Sequence, residues 1–374
     1  MKTLYLVAGA RPNFMKLAPM VRALDKPGHD LSYQIVHTGQ HYDREMSDVF
    51  FEELGIPQPD HHLGAGGGSQ AEQTAKVMVA FEALCTRARP AAVVVVGDVN
   101  STLACSIVAK KLGIPVAHVE AGLRSGDMAM PEEINRRVTD AISDWFFVTE
   151  PSGVENLLRE GHDRGRIFEV GHVMADNVIF QREQLRLHPR EAEASLLPRI
   201  RPARYGVVTL HRPSNVDNAE TFERIATGLR EVARVMPLFF PVHPRTRATM
   251  QRFGIELGDD VALLPPLAYM EFLDLWKDAT VVLTDSGGLQ EETTVLGVPC
   301  LTLRENTERP VTVSEGTNVL IGSDPSRLVA EVAKILAGQG KRGRRPMLWD
   351  GLAAERTVDI LTRELADVDS QNFV

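Results

Sequence analysis

Short apolar runs rich in β-forming residues recur along the chain and alternate with longer segments of helical periodicity. In the first half these runs are LYLVAGA, YQIVHTG, AAVVVVGD, IPVAHVEAG, WFFVTE and IFEVGH. In the second half they are GVVTLHR, LFFPVHP, VALLPP, TVVLTDS, VPCLTL and NVLIG. Continuous apolar strands separated by helices predict parallel sheets that are covered on both faces. We predict two sheets of six strands, divided near residues 172–205.

Two similar segments indicate that the halves are related. VVVVGDVNSTLACSIVAKKLGIPVAHVEAG reads strand, Asp, polar turn, helix, Gly-x-Pro, strand and Glu, and VVLTDSGGLQEETTVLGVPCLTLRE repeats this order. Gly113 and Gly297 suit the left-handed end of a helix, and the prolines that follow two residues later prevent its continuation. The fold class is therefore predicted to be α/β, with two Rossmann-like, doubly wound domains that face a cleft.

The composition supports a globular protein and restricts its partners. Of the 374 residues, 44% are hydrophobic and 24% are charged, which suffices for two hydrophobic cores. Because the formal net charge is −9, extensive binding to nucleic acid or to an acidic membrane is not expected. Any anionic ligand must then be bound by local basic residues.

The cysteines and the lack of long apolar runs indicate in which cellular compartment the protein is found. Cys85, Cys105 and Cys300 form no CxxC pair and are expected to be buried thiols in a reducing environment. No apolar run approaches the ~20 residues of a membrane helix. The first apolar run leads directly into Arg11 and lacks the small-residue cleavage site that follows the apolar region of a signal peptide. We therefore predict that this run is a first strand. We predict a cytoplasmic protein.

Polar residues follow almost every predicted strand. In the first half they are Arg11, Lys16, Asp98, Glu120, Glu132, Glu133, Asn135 and Arg136; in the second half they are His211, Arg212, His243, Arg245, Ser286, Gly287, Gly288, Glu292 and Arg309. Each of them alone also fits a structural role, such as a helix cap, a solvated loop charge or a core histidine. Since carboxyl ends of parallel strands meet at one edge of a sheet, the whole set instead predicts a ligand site.

The segment TDSGGLQEE combines an anion-binding turn with carboxylates. A strand that turns through Gly287 and Gly288 into a helix presents free backbone N–H groups, which suit a diphosphate. Glu292, one turn further, suits a cis-diol because a carboxylate can accept two hydroxyl hydrogens. Together they predict a nucleotide site. Tyr269 or Phe272 could stack on the base, although hydrophobic helix packing explains either residue equally well.

The first half of the chain contains candidate acid and base residues rather than a nucleotide site. Asp98, Glu120 and Glu132 are expected near the cations Arg11 and Lys16. Carboxylates raise one another's pKa and nearby cations lower it, which is how a site tunes an acid and a base. The second domain would therefore bind a nucleotide, and the first would act on the group attached to it.

Metal and redox cofactors are not expected. His37 and His41 lie four residues apart across a strand end, His61 and His62 follow, and no matching third ligand is evident. The glycine-rich segment 64–74 lacks the preceding strand of a dinucleotide fingerprint and is predicted to be a loop.

The ordered motifs resemble those of the non-hydrolysing UDP-N-acetylglucosamine 2-epimerases. The likeness spans roughly residues 3–365 and is carried by GARPNFMKLAP, TGQH, GDVNSTL, HVEAGLRS, MPEEINRR, TLHRPSNVDN, PVHPRTR, TDSGGLQEE and TERP. The resemblance implies a glycosyltransferase-B type fold whose last helix returns to the first domain. It gives a first domain of residues 1–172 plus 355–374 and a second of residues 173–354, in a homodimer.

The resemblance also implies the reaction. UDP-GlcNAc and UDP-ManNAc would interconvert by elimination of UDP to give 2-acetamidoglucal, followed by re-addition, without any cofactor. The family's catalytic residues fall on Arg11, Lys16, Asp98, Glu120, Glu132 and His211; its substrate-binding residues fall on Arg136, Phe272, Ser286, Gly287, Gly288, Glu292 and Arg309.

Many family members bind UDP-GlcNAc as an activator at a second site, which here falls on Gln40, His41, Arg212 and His243. Because Asp43 adds a carboxylate beside that site, we predict weak or absent activation.

Four alternative functions remain. GARPNFMK and the segment that follows TGQH look similar to relatives acting on UDP-2,3-diacetamido-uronic acids, whereas TERP favours UDP-GlcNAc. A glycosyltransferase of the same fold would need an acceptor groove. A hydrolysing epimerase would release free ManNAc. A sugar-nucleotide sensor would not need the carboxylates.

Overall fold

The computed structural model describes residues 1–39, 51–188 and 203–371, with side chains up to residue 367. The chain forms two compact units. Unit 1 comprises Met1–Asn177 and the chain from Met347 onward, and unit 2 comprises Val178–Pro346.

Unit 1 contains a seven-stranded parallel sheet in the order β3-β2-β1-β4-β5-β6-β7. Its strands are β1 (Lys2–Ala8), β2 (Leu31–His37), β3 (His61–His62), β4 (Ala92–Val96), β5 (Val116–Val119), β6 (Trp145–Val148) and β7 (Ile167–Glu169). The described helices that begin in it are α1 (Arg11–Leu24), α2 (Gln70–Arg87), α3 (Asn100–Lys111), α4 (Pro131–Ile142), α5 (Pro151–Arg159), α6 (Val173–Leu187) and, near the C-terminus, α14 (Ala353–Gln371).

Unit 2 contains a six-stranded parallel sheet in the order β10-β9-β8-β11-β12-β13. Its strands are β8 (Gly206–Thr209), β9 (Leu238–Pro241), β10 (Val261–Leu264), β11 (Val281–Thr284), β12 (Cys300–Thr302) and β13 (Asn318–Leu320). Its helices are α7 (Pro213–Val216), α8 (Ala219–Ala233), α9 (Pro244–Phe253), α10 (Tyr269–Trp276), α11 (Gly287–Leu296), α12 (Pro310–Ser314) and α13 (Pro325–Leu336).

The predicted α/β class with two Rossmann-like sheets is confirmed, and the twelve predicted strands are all present. The prediction of six strands in the first sheet was wrong by one. The two residues of β3 pair with Val36 and His37 at the edge of the sheet. A two-residue strand is too short to produce a periodic pattern, so the sequence could not indicate it.

Local sequence explains how the strands and helices are bounded. All five residues of β4 are buried, as expected for a central parallel strand covered on both faces. On one face, Val93 and Val95 pack in a cluster with Phe81 of α2 and Cys105 of α3. Helix α11 ends at Gly297, whose φ of 76° is left-handed, as the glycine in its sequence predicted.

The strand register brings the polar turns of each sheet together. In unit 1, Val96 of β4 pairs with Val119 of β5, so the residues after these strands leave the sheet side by side. In unit 2, Thr209 of β8 pairs with Thr284 of β11, with the same consequence for the following residues. Asp98 and Glu120 follow the first pair, and His211 follows β8 in the second.

The C-terminal helix α14 packs against α1 within unit 1. The carboxylate of Glu364 accepts a hydrogen bond from Trp145 Nε1 at 2.9 Å, and Asp176 Oδ2 accepts one from the Ala354 amide at 2.7 Å. The chain enters unit 1 again at Met347, earlier than the expected residue 355, because Trp349 is buried there and donates to the Thr149 carbonyl at 2.9 Å. None of the described helices has the length and apolarity needed to cross a membrane.

Candidate active site

The turn after β4 carries Asp98 at the carboxyl edge of the unit 1 sheet. Its first residue, Gly97, has a φ of 68°, and a Cβ there would lie 3.2 Å from Lys16 Nζ. Asp98 forms an ion pair with Arg136, and its backbone carbonyl accepts a hydrogen bond from Asn135 at 2.9 Å. Helix α4 therefore holds this turn through two adjacent side chains.

The turn after β5 carries Glu120, which forms an ion pair with Lys16 of α1. Both side chains are buried. Glu120 has a φ of 71°, in the left-handed region that non-glycine residues rarely occupy. Such backbone strain is retained where the surrounding structure imposes it, and it concentrates at functional sites.

The start of α1 is fixed to the same edge by Asn13, which the sequence analysis did not single out. Its side-chain amide donates to the Val96 carbonyl at 3.1 Å, and its oxygen accepts from the Ala10 amide at 3.0 Å. Arg11, the first residue of α1, has an exposed side chain. Helix α1 thus contributes a buried cation, Lys16, and an exposed one.

Two adjacent carboxylates at the start of α4 have different environments. Glu132 is exposed, whereas Glu133 is fully buried and accepts hydrogen bonds from the Ser125 amide at 2.8 Å and Arg136 at 3.0 Å. Burial alone would raise the pKa of Glu133, but hydrogen bonds from Ser125, Arg137 and Arg136 lower it below its ordinary value. Glu133 orients Arg136 toward Asp98, and Glu132 remains accessible.

In unit 2, a buried aspartate organises the turn after β8. Asp285 accepts hydrogen bonds from the backbone amides of His211 and Arg212 and from the Asn215 side chain. Its Oδ1 lies 2.9 Å from His211 Nδ1, and the His211 side chain is half exposed. Although burial raises the pKa of Asp285, the hydrogen bond and charge of His211 and the bonds from Arg212 and Asn215 lower it below its usual range.

The N-terminus of α11 is open to a ligand. Ser286 is its N-cap residue, and no side chain caps the helix. A Cβ at Gly288 would meet nothing within 4 Å, and one at Gly287 would lie 3.0 Å from Arg309 Nη1. Free amides and a guanidinium at one helix end form an anion-binding arrangement.

Three arginines lie near this helix end. Arg309 pairs with Glu291, and Arg304 pairs with Glu308 at 2.8 Å. Burial and the charge of Arg304 lower the pKa of Arg212 from its ordinary value. The mutual repulsion of these cations indicates a region of positive potential that an anionic ligand would relieve.

Glu292 lies one turn further along α11 and is buried. Its Oε1 accepts a hydrogen bond from the Tyr269 hydroxyl at 3.0 Å. Burial raises the pKa of Glu292 to about 8; the Tyr269 hydrogen bond opposes the shift, and the charge of Glu291 adds to it. Tyr269 is therefore hydrogen-bonded to Glu292, the carboxylate predicted to bind the ribose diol. Phe272 of the same helix is half-buried.

Comparison with known proteins now decides the family. The sequence profile of UDP-N-acetylglucosamine 2-epimerase matches residues 22–362. The chain belongs to this family.

Two relatives and one crystal structure illustrate the similarity. The UDP-N-acetylglucosamine 2-epimerase of Methanocaldococcus jannaschii is 41% identical, over 96% of this chain and 98% of that protein. The UDP-2,3-diacetamido-2,3-dideoxy-D-glucuronate 2-epimerase of Pseudomonas aeruginosa is 38% identical, over 97% of this chain and 100% of that protein. The crystal structure of the M. jannaschii UDP-GlcNAc 2-epimerase in complex with UDP-GlcNAc and UDP aligns with a TM-score of 0.83 and 39% identity, covering 96% and 99% of the two chains.

The second site expected in this epimerase family is only partly within the described residues. Arg212 Nε donates to the Asp285 carbonyl at 3.0 Å, and His243 is an exposed N-cap of α9 whose Nδ1 accepts from the Arg245 amide. Gln40 and His41 lie outside the described residues. The predicted grouping of all four side chains stays a prediction.

The histidines of unit 1 have structural partners. His37 Nδ1 accepts from the Gly39 amide at 2.8 Å and its ring stacks on Phe14, while burial and His62 lower its pKa to about 4. His61 Nε2 lies 3.0 Å from Gln34 Oε1. Within residues 1–39, 51–188 and 203–371, no group of three or more His, Cys, Asp or Glu side chains is arranged to hold a metal ion.

The sequence analysis named Glu133 and Arg136 but missed Asp140 and the buried polar stripe that these three residues form on α4. Glu133, Arg136 and Asp140 are buried, and Ile134 and Val138 between them are exposed. The spacing of the three charged residues follows the helical period, which was the available signal. The usual rule that apolar residues face inward conceals such an arrangement.

Proposed function

We propose that this protein interconverts UDP-GlcNAc and UDP-ManNAc by inverting the configuration at C2. The observation that carries the proposal is that unit 2 contains Glu292 and the open N-terminus of α11, and that unit 1 contains Asp98 and Glu120 in the turns after β4 and β5. The 41% identity to a UDP-N-acetylglucosamine 2-epimerase supports the choice of sugar.

Unit 2 is the proposed site for UDP. The diphosphate would bind the amides of Gly287 and Gly288, with Ser286, Arg309 and His211 around it. Glu292 would accept hydrogen bonds from the ribose hydroxyls, and Phe272 would contact the uracil. The arginines near this helix end support the assignment, because burial and the repulsion of neighbouring arginines lower the pKa of Arg212 and two phosphates would relieve that repulsion.

Unit 1 is the proposed site of proton transfer. In the forward direction the C1–O bond breaks and UDP leaves with the bonding electrons, while a carboxylate takes the C2 proton. The resulting alkene is 2-acetamidoglucal. UDP then adds back to C1, and a proton reaches C2 from the opposite face.

Asp98, Glu120 and Glu132 are the proposed acid and base groups. Arg11, Lys16 and Arg136 are proposed to stabilise the negative charge that develops during the reaction. The C2 hydrogen is only weakly acidic, so stabilising the departing UDP lets C1–O cleavage run ahead of proton loss.

The decisive experiment uses UDP-GlcNAc as the sole substrate in deuterated water, followed by NMR. We expect UDP-ManNAc with one deuterium at C2, and deuterium at C2 of the returned UDP-GlcNAc. UDP-ManNAc with fully retained protium at C2 would overturn the elimination mechanism. Free ManNAc with UDP would indicate a hydrolysing enzyme, and turnover only with an added acceptor would indicate a glycosyltransferase.

A second candidate substrate is a UDP-2,3-diacetamido-uronic acid. The 38% identity to the P. aeruginosa enzyme over nearly the whole chain favours it. Measuring kcat/KM for both substrates with the same preparation separates the two. We expect the larger value for UDP-GlcNAc, and the reverse ratio would assign the protein to the uronate.

We also expect a homodimer formed through unit 1. Helix α2 packs on α3 and α3 on α4, and two apolar side chains of these helices, Val79 of α2 and Ile134 of α4, are exposed. Val79 is 71% exposed, and Val235 on unit 2 is 67% exposed. Light scattering after Val79→Lys should show monomers, whereas the matched control Val235→Lys should remain dimeric; a monomeric wild-type protein would contradict the proposal.

The cytoplasmic location stays a prediction. Cys85, Cys105 and Cys300 are all free and buried, and burial raises the pKa of each thiol. Such thiols behave as small apolar side chains rather than as disulfide partners, which suits a reducing compartment.

A further inference from the structure

A fully buried histidine lies between the two turns that carry Asp98 and Glu120. His118, on β5, has an oxygen beside each ring nitrogen. Nδ1 is 2.6 Å from Asp140 Oδ1, and Nε2 is 2.8 Å from the Gly97 carbonyl oxygen. The Nε2 distance is typical of an N–H···O hydrogen bond, and the Nδ1 distance is slightly shorter than that range.

Both neighbours of the His118 ring are acceptors. A carbonyl oxygen has no proton to donate, so Nε2 must be protonated to bond to Gly97. Asp140 is held as a carboxylate, because its Oδ2 accepts from the Gly122 amide at 3.1 Å and lies 2.8 Å from Arg124 Nη1. Burial would raise the pKa of Asp140, but the charges and hydrogen bonds of His118 and Arg124 lower it. Nδ1 must then be protonated as well, and the ring carries two protons.

The protonated ring is part of a charge-balanced network. His118 and Arg124 are the cations, and Asp140 and Glu160 are the anions, with Arg124 and Glu160 paired at 2.6 Å. A buried charge is tolerated when it is paired and hydrogen-bonded in this way, and removing one partner leaves an uncompensated charge. Such a network fixes geometry more strictly than an apolar contact does.

The network joins the two turns of the proposed proton-transfer site. Gly97 directly precedes Asp98, and Gly122 is two residues after Glu120. The link runs from the Gly97 carbonyl through the His118 ring and the Asp140 carboxylate to the Gly122 amide. The spacing between the two turns therefore depends on this pair of side chains as well as on the backbone hydrogen bond from the Gly97 amide to the Val119 carbonyl at 3.0 Å.

We propose that His118, doubly protonated and paired with Asp140, is a positioning residue that sets the separation of Asp98 and Glu120. The proposal rests on the proposed function of those two carboxylates. It assigns a role in the reaction to a histidine that touches neither the substrate nor the reacting atoms.

The protonation state is tested on the wild-type protein. NMR of histidine labelled with ¹⁵N should show, for one of the eleven histidines, a ring whose two nitrogens are both protonated and protected from exchange. Loss of that signal in His118→Gln assigns it. A His118 ring with one protonated and one unprotonated nitrogen would overturn the proposal.

Two substitutions separate the two bonds of the ring. In His118→Asn, the side-chain amide reaches the position of Nδ1 and can donate to Asp140, but the hydrogen bond to the Gly97 carbonyl is lost. In His118→Gln, the side-chain amide reaches the position of Nε2 and can donate to the Gly97 carbonyl, but the hydrogen bond to the Asp140 carboxylate is lost. We expect kcat for UDP-GlcNAc to fall by about 10-fold or more in His118→Asn and by less in His118→Gln. UDP affinity, assigned to unit 2, should not change in either variant.

His162→Gln is the matched control, because this half-buried histidine of unit 1 packs on Phe146 and lies outside the link. It should retain the wild-type kcat. Wild-type kcat in a folded His118→Asn protein would overturn the proposal, and if that variant does not fold, wild-type kcat in His118→Gln would do so. A wild-type protein that does not turn over UDP-GlcNAc would refute the proposed function instead, whatever the protonation of His118.

Discussion

The two units share the strand order 3-2-1-4-5-6 in their own numbering, yet their carboxylates differ in character. In unit 1, Asp98 is paired with Arg136 and Glu120 with Lys16. In unit 2, Glu292 is buried beside a tyrosine hydroxyl, and burial raises its pKa to about 8. The same topology thus supplies charged groups in one unit and a predominantly neutral carboxyl at pH 7 in the other.

This difference shows that the fold determines where a side chain lies, while its neighbours determine its charge. A carboxylate that must exchange protons benefits from nearby cations and partial access to solvent. A carboxyl that only binds hydroxyl groups can be buried. Substitutions in each unit should therefore affect different measured quantities.

The largest effect is expected from Lys16→Met, which removes the cation beside buried Glu120. Loss of one partner of a buried ion pair costs about 3–5 kcal/mol of unfolding free energy. Urea denaturation should show this loss, and Lys16→Met combined with Glu120→Gln should recover much of it. The control Lys26→Met removes an exposed ion pair with Glu355 and should change stability by less than about 1 kcal/mol. Equal losses for Lys16 and Lys26 would contradict the buried pair.

Asp98→Asn should lower kcat by about 10²-fold or more, because it removes a proposed acid or base group. UDP affinity, measured by calorimetry, should remain that of the wild type. Asp163→Asn serves as the control, since Asp163 caps an exposed turn in the same unit. Normal turnover by Asp98→Asn would remove the distinction between the units.

Glu292→Gln should have the opposite pattern. Ribose hydroxyls that donate to Glu292 favour its ionised form in the UDP complex, and a hydrogen bond to a charged group is worth about 1.5–3 kcal/mol, so UDP affinity should fall about 10- to 100-fold. The effect on kcat should be small, because the diol contact is similar in the ground and transition states. Unchanged UDP affinity would show that Glu292 does not bind the ribose. The matched control is Glu331→Gln, because this half-buried glutamate of unit 2 pairs with Lys334 and lies on another helix, α13.

The raised pKa of Glu292 also predicts a pH-dependent stability. Its folded-state value of about 8 exceeds the ordinary value of 4.5, so the stabilisation is complete below pH 4.5 and is lost as pH rises to about 8. At pH 9 the wild-type protein therefore has a buried charge that Glu292→Gln lacks. Without ligand, the Tm of Glu292→Gln minus the Tm of the wild-type protein should increase by at least about 2–4 °C between pH 5 and pH 9. A Tm difference independent of pH would contradict the raised pKa.

The sequence predicted the elements that depend on local pattern. The strand ends at Asp98 and Glu120, and the glycine turn at Gly287, follow from apolar periodicity and turn chemistry. The sequence could not predict the positive φ of Glu120 or the buried pairing of His118 with Asp140, because both depend on contacts between distant segments. These contacts decide which polar residues face inward.

The adjacent residues Glu132 and Glu133 illustrate the same limit within one helix. Which of them is buried depends on how α4 is rotated, and that rotation is set by Arg136 and Asp140 reaching into unit 1. The sequence suggested a carboxylate at this helix start but could not show that Glu133 bonds to Ser125 and Arg136. The exposed Glu132 remains the proposed acid or base group.

The smallest effect is expected from UDP-GlcNAc as an activator. The second site would use Arg212 and His243 of unit 2 with Gln40 and His41, and Asp43, which is close to Gln40 and His41 in sequence, would add a negative charge that opposes a second diphosphate. Arg212 also lies beside Asp285, the aspartate that organises the proposed UDP site, so a second ligand there would compete for the same cations. Turnover of pure UDP-ManNAc should therefore begin without a lag, and a trace of UDP-GlcNAc should leave the initial rate unchanged. A protein that is inert toward UDP-ManNAc until the trace is added would show that activation is obligatory and that Asp43 points away from the second ligand.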